Sequence, residues 1–98
     1  MTERKVTIER EELNGANEFV LRIDGEKFGF LEFTRPEVGV MRIEYVEVSP
    51  ELRGTGLGKQ LVEKAVAFAQ QTKLKVIPIC SYARAVMQRD PVLSAAMR

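Results

Sequence analysis

Hydrophobic and polar residues alternate along the first half of the chain and take up a helical rhythm in the second. "VTIERE" (6–11) alternates loosely and reads as a strand. "LNGAN" (13–17) carries turn chemistry, and "EFVLRI" (18–23) reads as a second strand. Asp24-Gly25 follows, a favoured two-residue hairpin turn because both positions tolerate positive φ. "EKFGFLEFT" (26–34) returns as a third strand, with Phe28, Phe30 and, by the same alternation, Glu32 on one face. Gly29 inside it marks a bulge or a close approach. After a connection at 36–39, "VMRIEYVEV" (40–48) predicts a fourth strand. Strict alternation puts Val40, Val46 and Val48 on one face and Met41, Ile43 and Tyr45 on the other, as in a central strand.

After Pro50 the period changes. Leu57, Leu61, Ala65, Phe68 and Thr72 recur at helical spacing, with Val62 and Ala69 widening the stripe, so a helix is expected from about 56 to 72. "LKVIPIC" (74–80) is short, apolar and β-branched, and reads as a fifth strand. A second helix is expected from Ser81 or Tyr82 to just before Asp90-Pro91, where the residue preceding proline disfavours helix. "VLSAAM" (92–97) adds a last helical turn. Four strands, helix, strand, helix make an α/β fold with a mixed sheet, the first helix forming a parallel crossover. The whole chain, 1–98, is expected to form one domain, since 98 residues support one modest core.

Composition removes several functions. Fifteen basic and fourteen acidic residues leave a net charge of +1, against the strong basic bias of most nucleic-acid binders. The single cysteine, Cys80, forbids an intramolecular disulfide and fits a reducing, cytoplasmic setting. With no histidine, neither a metal site of the usual cysteine–histidine type nor a histidine-based nucleophile triad can be built. The charged N-terminus has no apolar run that would read as a secretory signal, and no stretch approaches the ~20 apolar residues needed to span a bilayer. A monomer and a homodimer are equally compatible with the sequence.

The densest chemistry lies in "SPELRGTGLGKQL" (49–61). Glycines let backbone amides converge on one concavity, the following helix adds free N–H groups and the positive end of its dipole, and Arg53 and Lys59 add charge. A pyrophosphate suits such a site. The P-loop pattern fails, because Arg53 stands where its first glycine belongs and Gln60 where its hydroxyl belongs. The dinucleotide fingerprint also fails: its last glycine falls on Lys59 or Leu61, and no acid lies at 74–79.

Arg53, Gly56 and Gly58 instead form R-x-x-G-x-G between a strand ending "VEVSP" and an amphipathic helix. This resembles the acetyl-CoA signature of the GNAT superfamily of N-acetyltransferases. "VIPICSYARAVMQRDP" (76–91) looks like a short branch of that family with an IP-x-CSY segment. The resemblance implies a compact, truncated GNAT-like fold in which a turn at 13–17 stands where most members carry helices that often build the acceptor site. It implies that the backbone of Val46, Glu47 and Val48 pairs with the pantetheine arm of acetyl-CoA. It places the pyrophosphate on Arg53, Gly54, Thr55, Gly56, Leu57, Gly58 and Lys59, and the thioester between the fourth and fifth strands.

Within that frame Cys80 ends the strand bordering the thioester. It is a candidate nucleophile, with a cofactor contact or a small buried hydrophobe as the alternatives. Tyr82 is a candidate acid for the leaving thiolate or a packing residue, and Glu44 and Glu47 are candidate bases or ordinary ion-paired side chains. Glu63, Lys64, Lys73 and Lys75 read as a solvated face. The expected function is acetyl transfer from acetyl-CoA to a primary amine, a lysine side chain or a small molecule. The alternatives are a CoA-binding module with little turnover and a protein-interaction domain with a vestigial loop.

Overall fold

The computed structural model of the protein describes residues 4–98. Strands β1 (Val6–Leu13), β2 (Ala16–Ile23), β3 (Glu26–Thr34) and β4 (Val40–Val48) form an antiparallel meander. A short 3-10 turn (Pro50–Leu52) leads to α1 (Leu57–Gln71), which crosses back to β5 (Lys75–Pro78), parallel to β4. Helices α2 (Ser81–Arg89) and α3 (Pro91–Ser94) complete the order, and the sheet runs β1-β2-β3-β4-β5. The expected mixed sheet and parallel crossover are present.

Local chemistry accounts for most boundaries. The first hairpin is tighter than expected: Asn14 and Gly15 alone turn the chain, with φ of 53° and 81°, so β1 reaches Leu13 and β2 starts at Ala16. Asp24 and Gly25 repeat this geometry at 52° and 86°. Asp90 ends α2 and caps α3, its side chain accepting from the Val92 amide at 2.9 Å, so the last helix starts at Pro91 and not at Val92. Beyond it the chain runs along the outer edge of β5, where the Val76 amide donates to the Ala96 carbonyl.

The core lies between one face of the sheet and the helices, and α1, α2 and α3 all bury residues in it. Along α1 the buried stripe is Leu61, Val62, Ala65, Val66 and Ala69, with Leu57 and Phe68 partly covered. Thr72, expected on that stripe, caps the helix end instead, its hydroxyl donating to the Phe68 carbonyl at 2.7 Å.

Two bulges overturn the face assignments drawn from strict alternation. In β4, Ile43 lies opposite Phe33 and Tyr45 opposite Glu32, which leaves Glu44 as the extra residue. The faces therefore exchange at Glu44. Met41 and Ile43 face the core, and so do Val46 and Val48, while Tyr45 turns away and stacks on Phe30. A similar shift in β3 leaves Phe28 unpaired, so Phe28 packs against the core although Phe30 does not. Gly29 is a close approach: a Cβ there would lie 2.7 Å from the Glu47 carbonyl oxygen and 3.2 Å from the Val48 Cα. Both atoms are backbone and cannot rotate aside. Gly29→Ala is therefore expected to lower the unfolding free energy by about 1–3 kcal/mol, as read by urea denaturation.

Candidate functional site

β4 outruns its neighbour. It continues to Val48, but its pairing with β5 ends where Ile43 meets Pro78. Pro78 has no N–H for the ladder. The next two amides, of Ile79 and Cys80, both turn back to the Ile43 carbonyl, at 3.0 and 3.2 Å. This double contact makes β5 shorter than the 74–80 expected from its apolar run. It leaves β4 from Glu44 to Val48 without a strand on that side. The resulting slot exposes backbone donors and acceptors to any extended ligand.

The slot opens into a cleft of about 560 Å³. Val46, Glu47 and Val48 form one wall, Pro50, Leu52, Arg53 and Gly54 the loop side, Gly56 and Gly58 the floor, and Tyr82 the far wall. Gly54 and Gly56 hold φ of 79° and 83°, which L side chains rarely adopt. They bring the chain into α1 with the first-turn amides of Gly58 and Lys59 free of intrahelical acceptors; the ladder begins with Gln60 donating to the Gly56 carbonyl at 3.1 Å. Free amides, the helix dipole and the Arg53 guanidinium make this end of the cleft suited to an anion.

Gly58 has a different reason to be glycine. A Cβ there would stand 2.5 Å from the Tyr82 hydroxyl, so the tyrosine ring lies across the first turn of α1. The N-terminus of α2 is thereby docked on that of α1.

The remaining candidate residues divide. Thr55, Leu57 and Lys59 support the loop without lining the cleft: the Thr55 hydroxyl donates to the Leu52 carbonyl at 2.6 Å and accepts from the Leu57 amide at 3.4 Å, Leu57 packs on the core, and the Lys59 ammonium lies 3.9 Å from Asp90. Cys80 sits at the N-cap of α2, half-buried against the core and outside the cleft wall. No side-chain hydrogen bond reaches its thiol among the described residues. Glu63, Lys64, Lys73 and Lys75 are exposed, as expected. Pro50 and Leu52 were not among the expected site residues. Their signal is the "SPEL" start of the 3-10 turn, where proline holds the first position.

Glu44 and Glu47 separate cleanly. Hydrogen bonds from Arg42, and then from the Thr34 hydroxyl at 2.7 Å, hold the Glu44 carboxyl below the usual carboxylate range, which makes it a weak base. Glu47 lines the cleft. A hydrogen bond from Arg22 lowers Glu11 in the same way. Both groups have folded values below their unfolded ones, so their stabilisation is complete above the unfolded value and is lost as pH falls through the folded one. Stability is therefore expected to hold down to roughly pH 4.5 and to fall below it. Glu44→Gln should flatten that acid limb in denaturation series run at stepped pH.

No group of residues suited to a metal ion occurs among those described, and no helix in the structure is long and apolar enough to cross a membrane.

Comparison with known proteins gives this geometry a context. The family model of the GCN5-related N-acetyl-transferases matches residues 18–96. An uncharacterised N-acetyltransferase from Archaeoglobus fulgidus is 40% identical over 65 residues, covering 58% of this chain and 43% of that protein. The chain thus spans less than half the length of this curated relative. A GCN5-like protein from Staphylococcus aureus, solved by NMR, superposes with a TM-score of 0.75 at 24% identity, covering 94% of this chain and 87% of the other. A GNAT family N-acetyltransferase from Escherichia coli, crystallised in complex with CoA, superposes with a TM-score of 0.60 at 20% identity, covering 69% and 43%. At these identities the two solved structures support the fold.

Proposed function

The chain belongs to the GCN5-related N-acetyltransferase family, and on that footing we propose that it binds acetyl-CoA in the cleft and transfers the acetyl group to a primary amine. The observation that carries this reading is the slot between β4 and β5 opening directly onto the free amides of the glycine loop. An extended arm with a pyrophosphate at one end and a reactive group at the other fits that shape.

Bound acetyl-CoA supplies an acetyl group activated as a thioester. The chain's residues do the rest. The amides of Gly54, Gly56 and Gly58, with Arg53, hold the pyrophosphate. The open edge of β4 at Val46, Glu47 and Val48 hydrogen-bonds the pantetheine and fixes its direction. The Glu47 carboxylate takes a proton from the acceptor's ammonium, freeing the nitrogen lone pair. The Tyr82 hydroxyl gives its proton to the departing sulfur and regains one from the amine as the amide forms, so protons balance.

Direct attack by the amine is favoured over a relay through Cys80. The thiol packs on the core and has no hydrogen-bonded base to activate it. Cys80→Ser is expected to keep transfer within about threefold of the native rate. Loss of transfer with intact acetyl-CoA affinity would install the cysteine as an acetyl carrier.

The reading as a whole is tested by calorimetric titration with acetyl-CoA, with NAD and ATP as controls. Selective micromolar binding of acetyl-CoA is the expected result; equal or absent binding would remove the cleft assignment. Amine-dependent release of CoA then separates an enzyme from a binding module.

A further inference from the structure

The helices cover one face of the sheet. On the other face, the register pairs Phe30 with Glu47 and Glu32 with Tyr45. These side chains occupy the corners of a square, two aromatics on one diagonal and two carboxylates on the other. The aromatic diagonal is closed by stacking, with ring centroids 5.8 Å apart and planes at 18°. Tyr45 remains 52% exposed. The bulge at Glu44 creates this square, because without it Tyr45 would point into the core. Tyr45 and Glu47 also stand on the part of β4 that borders the slot.

Several carboxylates near the square have cation partners, although Glu9 of β1, in the same cross-strand row as Phe30 and Glu47, is not in any ion pair among the described residues. Glu11 of β1 pairs with Arg22 of β2, Glu18 of β2 with Lys27 of β3 at 3.6 Å, and Glu44 of β4 with Arg42. Glu32 and Glu47 have no cation within 4.0 Å among the described residues. The surface already holds one ammonium: Lys27 Nζ lies 4.9 Å from the Phe30 ring centroid.

We infer that this patch binds the acetyl acceptor and that the acceptor is a small aliphatic polyamine. The inference rests on the transfer reading above. The attacking nitrogen has to be neutral, with its proton passed to Glu47. A second ammonium on the same molecule keeps its charge and needs a carboxylate away from the slot. Glu32 provides one, a strand further in, with the two carboxylates on a diagonal whose backbone positions are about 7–8 Å apart. The methylene stem lies across the stacked rings between them. A peptide acceptor that docked by adding a strand would compete with pantetheine for β4 from Glu44 to Val48, the edge beside the patch. A carboxylate next to the acceptor amine would be repelled by both glutamates.

The test titrates the full chain with 1,4-diaminobutane, 1-aminobutane, glutamate and a lysine-containing peptide, without acetyl-CoA, following backbone amide shifts by NMR. The expected result is 1,4-diaminobutane binding at least about tenfold more tightly than 1-aminobutane, with shifts centred on Phe30, Glu32, Tyr45 and Glu47. Glu32→Gln should remove that advantage while its circular dichroism stays native. Equal affinities for the two amines, shifts centred elsewhere, or tighter binding of the peptide would overturn the inference. If acetyl-CoA binds and the diamine does not, only this inference fails. If the diamine binds and acetyl-CoA does not, the transfer reading fails and the patch remains a polyamine site.

Discussion

Gly56→Glu is expected to weaken acetyl-CoA binding at least about 100-fold, some 2.7 kcal/mol, while the protein stays folded. Gly56 precedes α1 with a φ of 83°, and any L residue there costs about 1–2 kcal/mol of backbone strain. Open space surrounds the position, since a Cβ would meet no atom within 4 Å, so packing does not oppose the change. What it adds is a negative charge beside first-turn amides of α1 that have no acceptor within the helix, where the pyrophosphate is proposed to sit. Gly56→Ala separates the two effects, because it carries the strain without the charge. Calorimetric Kd values for the two variants, beside their thermal midpoints, decide the matter. If alanine and glutamate weaken binding equally, no anion sits at the loop, and the pyrophosphate assignment is wrong.

Tyr82→Phe is expected to lower kcat about 100-fold with little change in KM for acetyl-CoA, the usual scale for losing a positioned proton donor. The phenyl ring preserves the contact with the first turn of α1, so the docking of α2 on α1 survives and only the hydroxyl is lost. That hydroxyl points at Gly58, inside the cleft and across the loop from Val46 and Val48. Steady-state rates at saturating amine report the effect. A change below about threefold would make Tyr82 a packing residue and leave the proton for the sulfur to water. Gly58→Ala, which crowds the hydroxyl directly, should move activity the same way if the proton donor has been placed correctly.

Much of this was legible because the signals are local. Asp24-Gly25 specifies its turn through the φ values that two adjacent residues accept, whereas the turn chemistry at 13–17 left the exact turn, Asn14-Gly15, to the structure. The helical spacing from Leu57 to Ala69 identified α1 and its buried face, because a period of 3.6 is written in consecutive residues. The glycine-rich turn into α1 was legible for the same reason: glycine accepts the positive φ that Gly54 and Gly56 adopt.

The site's working geometry was not legible in that way. Alternation in "VMRIEYVEV" assigned Tyr45 to the face of Met41 and Ile43, because period-two counting assumes an unbroken ladder. The bulge at Glu44 depends on the register against β3, which a single strand's sequence does not specify. Cys80 drew notice as the only cysteine, yet its packing is decided by where Ile79 and Cys80 find a hydrogen-bond acceptor, and that acceptor belongs to β4.

The sequence by itself determined the main elements, their order, the tight Asp24-Gly25 turn, the crossover and the glycine-rich entry into α1. Each of these follows from the conformational limits or periodicity of a few neighbouring residues. Only the tertiary structure decided where β4 and β5 part, which face carries Phe30, Glu32, Tyr45 and Glu47, and that Tyr82 rests on Gly58. Each of these joins residues far apart in the chain, and their contacts follow from strand register and helix docking, which arise only when the whole sheet pairs and its core closes.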